Sequence, residues 1–160
     1  MLLHLLRHAD AGDPAAWDGP DAARPLSDKG RNQSKRLGKF LAGINFSGTP
    51  FLSSPKIRAK ETAELVAEPI DVKVVLDDRL GGALTLTSVE AMLADAGDPE
   101  RPVLVGHDPD FSELVTVLCG AAGVELRKGA LARIEIDRPL QAGAGTLRWL
   151  LPPDVLKPER

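Results

Sequence analysis

The chain alternates between two hydrophobic rhythms, and that alternation constrains its fold more than any other feature. Four segments carry apolar residues at i, i+3, i+4 and i+7, the spacing that lays a stripe along one helix face. They are Leu37/Phe40/Leu41/Ile44, Ala59/Thr62/Ala63/Val66, Val89/Met92/Leu93/Ala96 and Phe111/Leu114/Val115/Leu118, with Thr62 matching only through its methyl group. Between and around them lie short apolar runs, Leu2–Leu6, Phe51–Ser53, Val72–Leu76 and Val103–Gly106, each the length of a buried strand. The order is β-α-β-α-β-α-β-α. Two further runs, Ala130–Asp137 and Thr146–Leu151, flank a turn-rich linker and read as an antiparallel pair. Strands alternating with helices predict a three-layer α/β/α sandwich on a mostly parallel central sheet, closed by the C-terminal antiparallel strand pair.

Boundary signals agree with that reading. Ser27 is a candidate N-cap for the first helix, Pro69 stops the second, Ser88 or Thr87 caps the third, and Pro109 sits where a first-turn proline is tolerated. A chain of 160 residues is one domain by size. We expect that domain over residues 1–151, with residues 152–160, which hold three prolines, as an extended tail. Asp10–Pro25, rich in Ala, Asp, Pro and Gly, is either a solvated connection or a loop covering a site.

Charge narrows the function classes. With 20 Lys+Arg against 23 Asp+Glu the net charge is −3, so no basic excess exists to bind a nucleic-acid backbone or an anionic membrane. Neither partner is expected. The first apolar run meets Arg7 too soon for a signal peptide or a membrane span, which leaves the Asn-x-Ser matches at Asn32 and Asn45 without weight. Cys119 is alone, no Cys/His set has zinc spacing, and no metal or cofactor is called for; a reducing cytoplasm suits that cysteine count, with Cys119 read as a small buried hydrophobe.

In parallel sheets ligands bind outside the carboxyl ends of the strands. There the chain places Arg7-His8 after the first strand, Ser54-Pro55-Lys56-Ile57-Arg58 after the second, and His107-Asp108-Pro109 after the fourth. Two of only three histidines thus join two arginines at one sheet edge. This set suits a phosphoryl group, because guanidinium forks bind its oxygens while a neutral imidazole can accept it covalently. A second imidazole, if protonated, adds donors for the charge of the transition state. The remaining histidine, His4, falls inside the first strand and reads as a structural residue.

Three motifs in this order, Leu6-Arg7-His8-Ala9, Ser53 through Thr62, and Gly106-His107-Asp108-Pro109, resemble the histidine phosphatase superfamily, which shares the phosphoglycerate mutase fold. The length and the Arg24-Pro25-Leu26-Ser27-Asp28-Lys29-Gly30 stretch look most like its short branch, the SixA-type phosphohistidine phosphatases, and the likeness runs from residue 2 to about 151. The resemblance implies that His8 is the nucleophile of a phosphohistidine intermediate, that Arg7 and Arg58 clamp the phosphoryl oxygens and that His107 donates to them. It suggests Arg24 as a further substrate-binding residue. Thr62 reads as packing or support.

The family's usual general acid has no obvious counterpart in Leu76-Asp77-Asp78-Arg79-Leu80-Gly81-Gly82-Ala83. Expelling an alkoxide needs a proton, worth about 10²–10⁴ in rate, whereas a protonated phosphoimidazole departs without one. The first expectation is therefore a phosphohistidine-bearing protein as substrate. A small-molecule phosphomonoesterase using Asp10, Asp78 or Asp108 as proton donor is the alternative, with capping or charge balance the plainer role for Asp10 and Asp108. A phosphate-binding module without turnover is the third reading. His8 must be neutral to attack while His107 works best charged, which predicts a bell-shaped pH profile. Trp17, in the long loop, is a candidate contact for a protein substrate.

Overall fold

The computed structural model describes residues 1–158. Its ten principal elements are β1 (Leu2–Arg7), α1 (Asp28–Gly43), β2 (Phe51–Ser53), α2 (Ile57–Ala67), β3 (Val74–Leu76), α3 (Leu86–Asp95), β4 (Val103–Gly106), α4 (Asp110–Cys119), β5 (Leu131–Glu135) and β6 (Thr146–Leu151). The sheet order is β3-β2-β4-β1-β5-β6. Neighbours from β3 to β1 are parallel, and β5 runs antiparallel to both β1 and β6. Only β5 therefore opposes the common direction.

Side-chain alternation along each strand sorts the core into two layers. Leu3, Leu5, Leu52, Leu104, Ala132 and Ile134 pack under α3 and α4, around Met92, Leu93, Phe111 and Leu118. Leu6, Phe51, Val103, Val105 and Leu131 face the other way, under Leu37 and Leu41 of α1 and Ala59, Ala63 and Val66 of α2. Neighbouring strands β1 and β4 thus send their helices to opposite faces: α1 follows β1 on one side and α4 follows β4 on the other. This is the topological switch point at which α/β sheets bind ligands.

Local structure departs from the sequence expectations in four places. The stripe of α1 is narrower than its spacing implied: Leu37 and Leu41 are buried, but Phe40 and Ile44 are exposed. Gln33, Ser34 and Gly38 of α1 are buried as well, and a Cβ on Gly38 would come within 2.9 Å of the Leu65 carbonyl oxygen, so at Gly38 close approach to α2 replaces large-residue packing. The N-cap of α3 is Thr85, not Thr87 or Ser88. Thr85 Oγ1 accepts from Ser88 N at 3.1 Å while Ser88 Oγ accepts from Thr85 N at 2.9 Å, a reciprocal capping box. The 10–25 loop is not shapeless, since 3-10 turns form at Pro14–Ala16 and Asp21–Ala23. The tail also turns, through Pro153–Leu156 with Pro153 buried, instead of lying extended; its last two residues fall outside the described ones.

The ends of the 10–25 loop are pinned together. Ser27 N donates to the Asp10 carbonyl at 3.0 Å and Ser27 Oγ to Asp10 Oδ2 at 2.5 Å. Gly30 makes this possible, because a Cβ there would lie 1.9 Å from the Asp10 carbonyl oxygen. The segment is a closed loop anchored at the carboxyl end of β1.

Candidate active site

Backbone register brings the two sequence-distant histidines together. Arg7, the last residue of β1, pairs with Gly106, the last of β4, and His8 N donates to the Gly106 carbonyl at 2.9 Å. His8 and His107 therefore leave adjacent strand ends, with ring centroids 5.2 Å apart and planes inclined by 52°. Arg58 arrives from the first turn of α2, and Arg24 from the loop; His8, Arg24 and Arg58 are all buried. Thr62 ties these pieces, accepting from Ala9 N at 3.0 Å and donating to the Arg58 carbonyl at 2.7 Å, which is a scaffolding contact between β1 and α2.

Hydrogen bonding then separates what is satisfied from what is not. His8 Nδ1 lies 2.7 Å from the Ala9 carbonyl. A carbonyl only accepts, so Nδ1 carries the proton and Nε2 keeps its lone pair. His107 Nε2 lies 2.8 Å from Ser54 Oγ, which also accepts from Lys56 N at 3.2 Å. Arg7 Nη1 donates to the Leu126 carbonyl at 2.8 Å and stands 3.6 Å from Asp108 Oδ2. Arg24 Nη1 donates to the Ala11 carbonyl at 2.7 Å. Among the described residues five buried side-chain nitrogens have no partner, and four of them belong to this set: Nε of Arg7, Arg24 and Arg58, and Nδ1 of His107. Leaving a buried donor unpaired costs about 1–3 kcal/mol; Arg24 Nε has Asp21 Oδ1 3.5 Å away, and the other three, on residues that meet at the ends of β1, β2 and β4, suit an acceptor-rich ligand.

Electrostatics point the same way. Burial above all, then the charges of Arg58, Arg7 and Lys128, push the His8 ring down to about 4 against its Ala9 hydrogen bond. His107 falls to about 3, through burial and then His8, Arg58 and Lys56. Both rings are neutral near pH 7 in the free protein. That suits a nucleophile; His107, read in the sequence as working best charged, is neutral in the free site and offers a single N–H, and a phosphoryl dianion would supply the acceptors that the orphaned nitrogens lack.

Two of the three candidate carboxyl groups are otherwise engaged. Asp10 accepts from Ser27 Oγ and from Gly12 N at 3.3 Å, and the Ser27 hydrogen bond holds its carboxyl below the ordinary range. Asp108 caps α4 through Ser112 N at 3.0 Å and Ser112 Oγ at 2.6 Å. Asp78 is exposed in the turn Asp78–Gly81. Two residues of the site were not singled out in the sequence. Ser54 is one. The other is Asp21, whose backbone carbonyl accepts from Arg58 Nη1 and whose Oδ2 accepts from Arg58 Nη2, both at 2.9 Å. Its spacing to Arg24, three residues on within a turn, is the only signal that could have found it. Among the described residues no three His, Cys, Asp or Glu side chains gather as a metal-binding set, and no helix is long and apolar enough to cross a membrane.

Comparison with known proteins fits this geometry. The chain is similar to the phosphohistidine phosphatase SixA of Escherichia coli K12, with 28% identity over 98% of this chain and 97% of that one. A solved structure of the protein histidine phosphatase SixA complexed with tungstate superposes with a TM-score of 0.82 at 26% identity, covering 98% of this chain and 100% of that one. A structure described as an α-ribazole-5'-P phosphatase from Escherichia coli shares the fold at 20% identity and a TM-score of 0.70, over 94% and 96% of the two chains. The sequence profile of the histidine phosphatase superfamily, branch 1, matches residues 3–82. The chain belongs to that superfamily and is a phosphatase.

Proposed function

We propose that this phosphatase removes the phosphoryl group from phosphohistidine on a protein, through a covalent intermediate on His8. The observation that carries the reading is a buried, neutral imidazole, His8, with the His107 ring 5.2 Å away and the charges of Arg58 and Arg7 acting on it, while Nε of both arginines and Nδ1 of His107 have no partner. Likeness to SixA supports it.

His8 Nε2 attacks phosphorus as the bond to the substrate's ring nitrogen breaks, and the bonding pair leaves with that ring. A substrate ring protonated on its other nitrogen departs as neutral imidazole, so no protein acid is required. Arg7 and Arg58 offer their Nε–H groups to the phosphoryl oxygens, while Arg24 Nε faces Asp21 Oδ1 at 3.5 Å. With Ser54 Oγ accepting from Lys56 N, its own proton is free for His107 Nε2, and His107 then offers Nδ1–H to the same oxygens.

The Ala9 carbonyl has a second effect. Because it retains the Nδ1 proton, phosphorylated His8 is itself an imidazolium and a good leaving group. Water attacks phosphorus, the P–Nε2 pair returns to Nε2, and the protons of that water stay with the product phosphate and solvent. The net reaction is phosphohistidine plus water to histidine plus inorganic phosphate.

The test presents a phosphohistidine protein, small phosphate esters and a phosphoserine peptide side by side to wild type and His8→Ala. Wild type should clear phosphohistidine fastest, and His8→Ala none of the three. Rapid hydrolysis of small esters with phosphohistidine left intact would establish the phosphomonoesterase reading instead, and no turnover of any substrate would establish a binding module.

A further inference from the structure

We infer that Asp21 selects the leaving group by charge, favouring one that carries a positive charge, such as an imidazolium, over one that carries further negative charge. The inference rests on the phosphohistidine reading for its natural substrate and on the geometry of Asp21 for everything else.

Asp21 begins the short turn Asp21–Ala23 and is tied into the site through its neighbours, not through its own burial. Its side chain is 58% exposed, while those of Arg58 and Arg24 are each 8% exposed. It thus stands at the mouth of the site with its carboxylate resting on two buried guanidinium groups, Oδ2 at 2.9 Å from Arg58 Nη2 and Oδ1 at 3.5 Å from Arg24 Nε. The backbone carbonyl takes Arg58 Nη1 as well. Each terminal nitrogen of Arg58 gives one N–H to Asp21 in this way, and the buried Nε–H has no partner.

A carboxylate accepts about four hydrogen bonds, and two close cations leave lone pairs on its solvent side. Arg58 from α2 and Arg24 from the same loop hold Asp21 ionised, and its charge is felt by His107 beyond the end of β4, where Lys56 acts with the opposite sign. A phosphoryl group held by the buried guanidinium groups would direct its leaving group toward solvent, the side on which the 58% exposed Asp21 stands. A ring bearing a proton on its distal nitrogen gains a fixed counter-charge there. A leaving group with its own carboxylate or second phosphate is repelled.

The test reads charge without requiring turnover. O-phosphoethanolamine and 2-phosphoglycolate are small esters of similar size whose non-phosphoryl ends carry opposite charges. Their affinities for the full chain and for Asp21→Asn, which keeps the backbone carbonyl and one side-chain acceptor, are measured by calorimetry near pH 7. Wild type should bind phosphoethanolamine the more tightly, and the ratio of the two affinities should shrink about tenfold in Asp21→Asn, as expected for one charge at close range near a surface. A ratio that does not change overturns the inference. An incompletely folded variant would lower the stoichiometry without altering the ratio.

Hydrolysis of N-phosphoimidazole supplies a second arm. The advantage of wild type over Asp21→Asn in kcat/KM should fade as pH rises through the titration of the leaving imidazole; an advantage constant with pH would mean that Asp21 only holds Arg58, and would also overturn the inference. Failure of wild type to hydrolyse N-phosphoimidazole at all would count against the phosphohistidine reading while the affinity ratio still decides the role of Asp21.

Discussion

His4 and His8 lie within four residues of each other at β1, both rings are buried, and burial pulls both down to about 4. Their surroundings nonetheless differ in kind. His4 Nδ1 donates to the Pro102 carbonyl at 3.0 Å and Nε2 accepts from Arg133 Nε at 2.9 Å, so neither ring nitrogen is left over. Phe46 meets the ring edge-on at 4.9 Å between centroids, and Arg133 is in turn stacked 4.8 Å over Trp149. His8 has one partner, the Ala9 carbonyl, and the donors clustered near it are unpaired. Burial and a shifted titration are therefore common to a structural histidine and to the proposed nucleophile. Unsatisfied hydrogen bonding separates them.

The largest predicted effect breaks that pair apart. His8→Ala should lower turnover by about 10⁵-fold, on the scale of losing a nucleophile, with little change in melting temperature. His4→Ala should cost about 2–4 kcal/mol of stability, through lost packing and two stranded partners, while the folded fraction keeps its specific activity. Kinetics paired with chemical denaturation checks both. An inactive, fully stable His4→Ala would contradict the division.

Next in size, His107→Ala should reduce kcat by about 10²–10³, the scale of removing one preorganised donor, and KM should move less. Steady-state kinetics on a phosphoramidate substrate reads the split.

Much of this was legible in the sequence, and the exceptions have physical causes. The helical stripes and apolar runs located the four helices and six strands, mostly because burial on a known face leaves a periodic trace; β3, read as a buried strand, is an edge strand with Val75 and Leu76 exposed. Arg7, His8, Arg58 and His107 stood out since each follows a strand end. The exposure of Phe40 and Ile44 was not legible, because spacing alone cannot tell that α1 meets α2 through Gly38. Asp21 and Ser54 escaped because their importance lies in contacts 37 and 53 residues away in sequence, to Arg58 and His107. The Thr85 cap was missed for a subtler reason: in Thr85-Leu86-Thr87-Ser88 three hydroxyl residues compete, and only the reciprocal bonding with Ser88 decides.

A third prediction concerns pH, where His4, His8 and His107 act in the same direction. Their folded values are depressed, to about 4, about 4 and about 3, chiefly by burial. As pH falls below about 6.5 the unfolded chain takes up protons that the folded chain refuses. Their contribution is thus fully present above about pH 6.5 and is lost progressively toward about pH 4. Denaturation midpoints at pH 7 and pH 5 should show the decline, and His8→Asn should flatten it. Stability that rises on acidification would contradict the burial of neutral rings.

The smallest effect expected is at Asp10. Its carboxylate is committed to Ser27 and Gly12, so Asp10→Asn should change kcat by less than about threefold and cost about 1 kcal/mol, the scale of a lost local hydrogen bond. A proton donor there would instead cost about 10²–10⁴ in rate on ester substrates.

The central claim, that His8 Nε2 receives the phosphoryl group, is tested most directly by rapid mixing with a radiolabelled phosphohistidine protein and quenching in alkali, where a phosphoramidate survives. The account predicts label on His8 within the first turnover, alkali-stable, acid-labile and absent from His8→Ala. Undiminished turnover with label on another residue, or with no labelled enzyme at any time and full activity in His8→Ala, would contradict it.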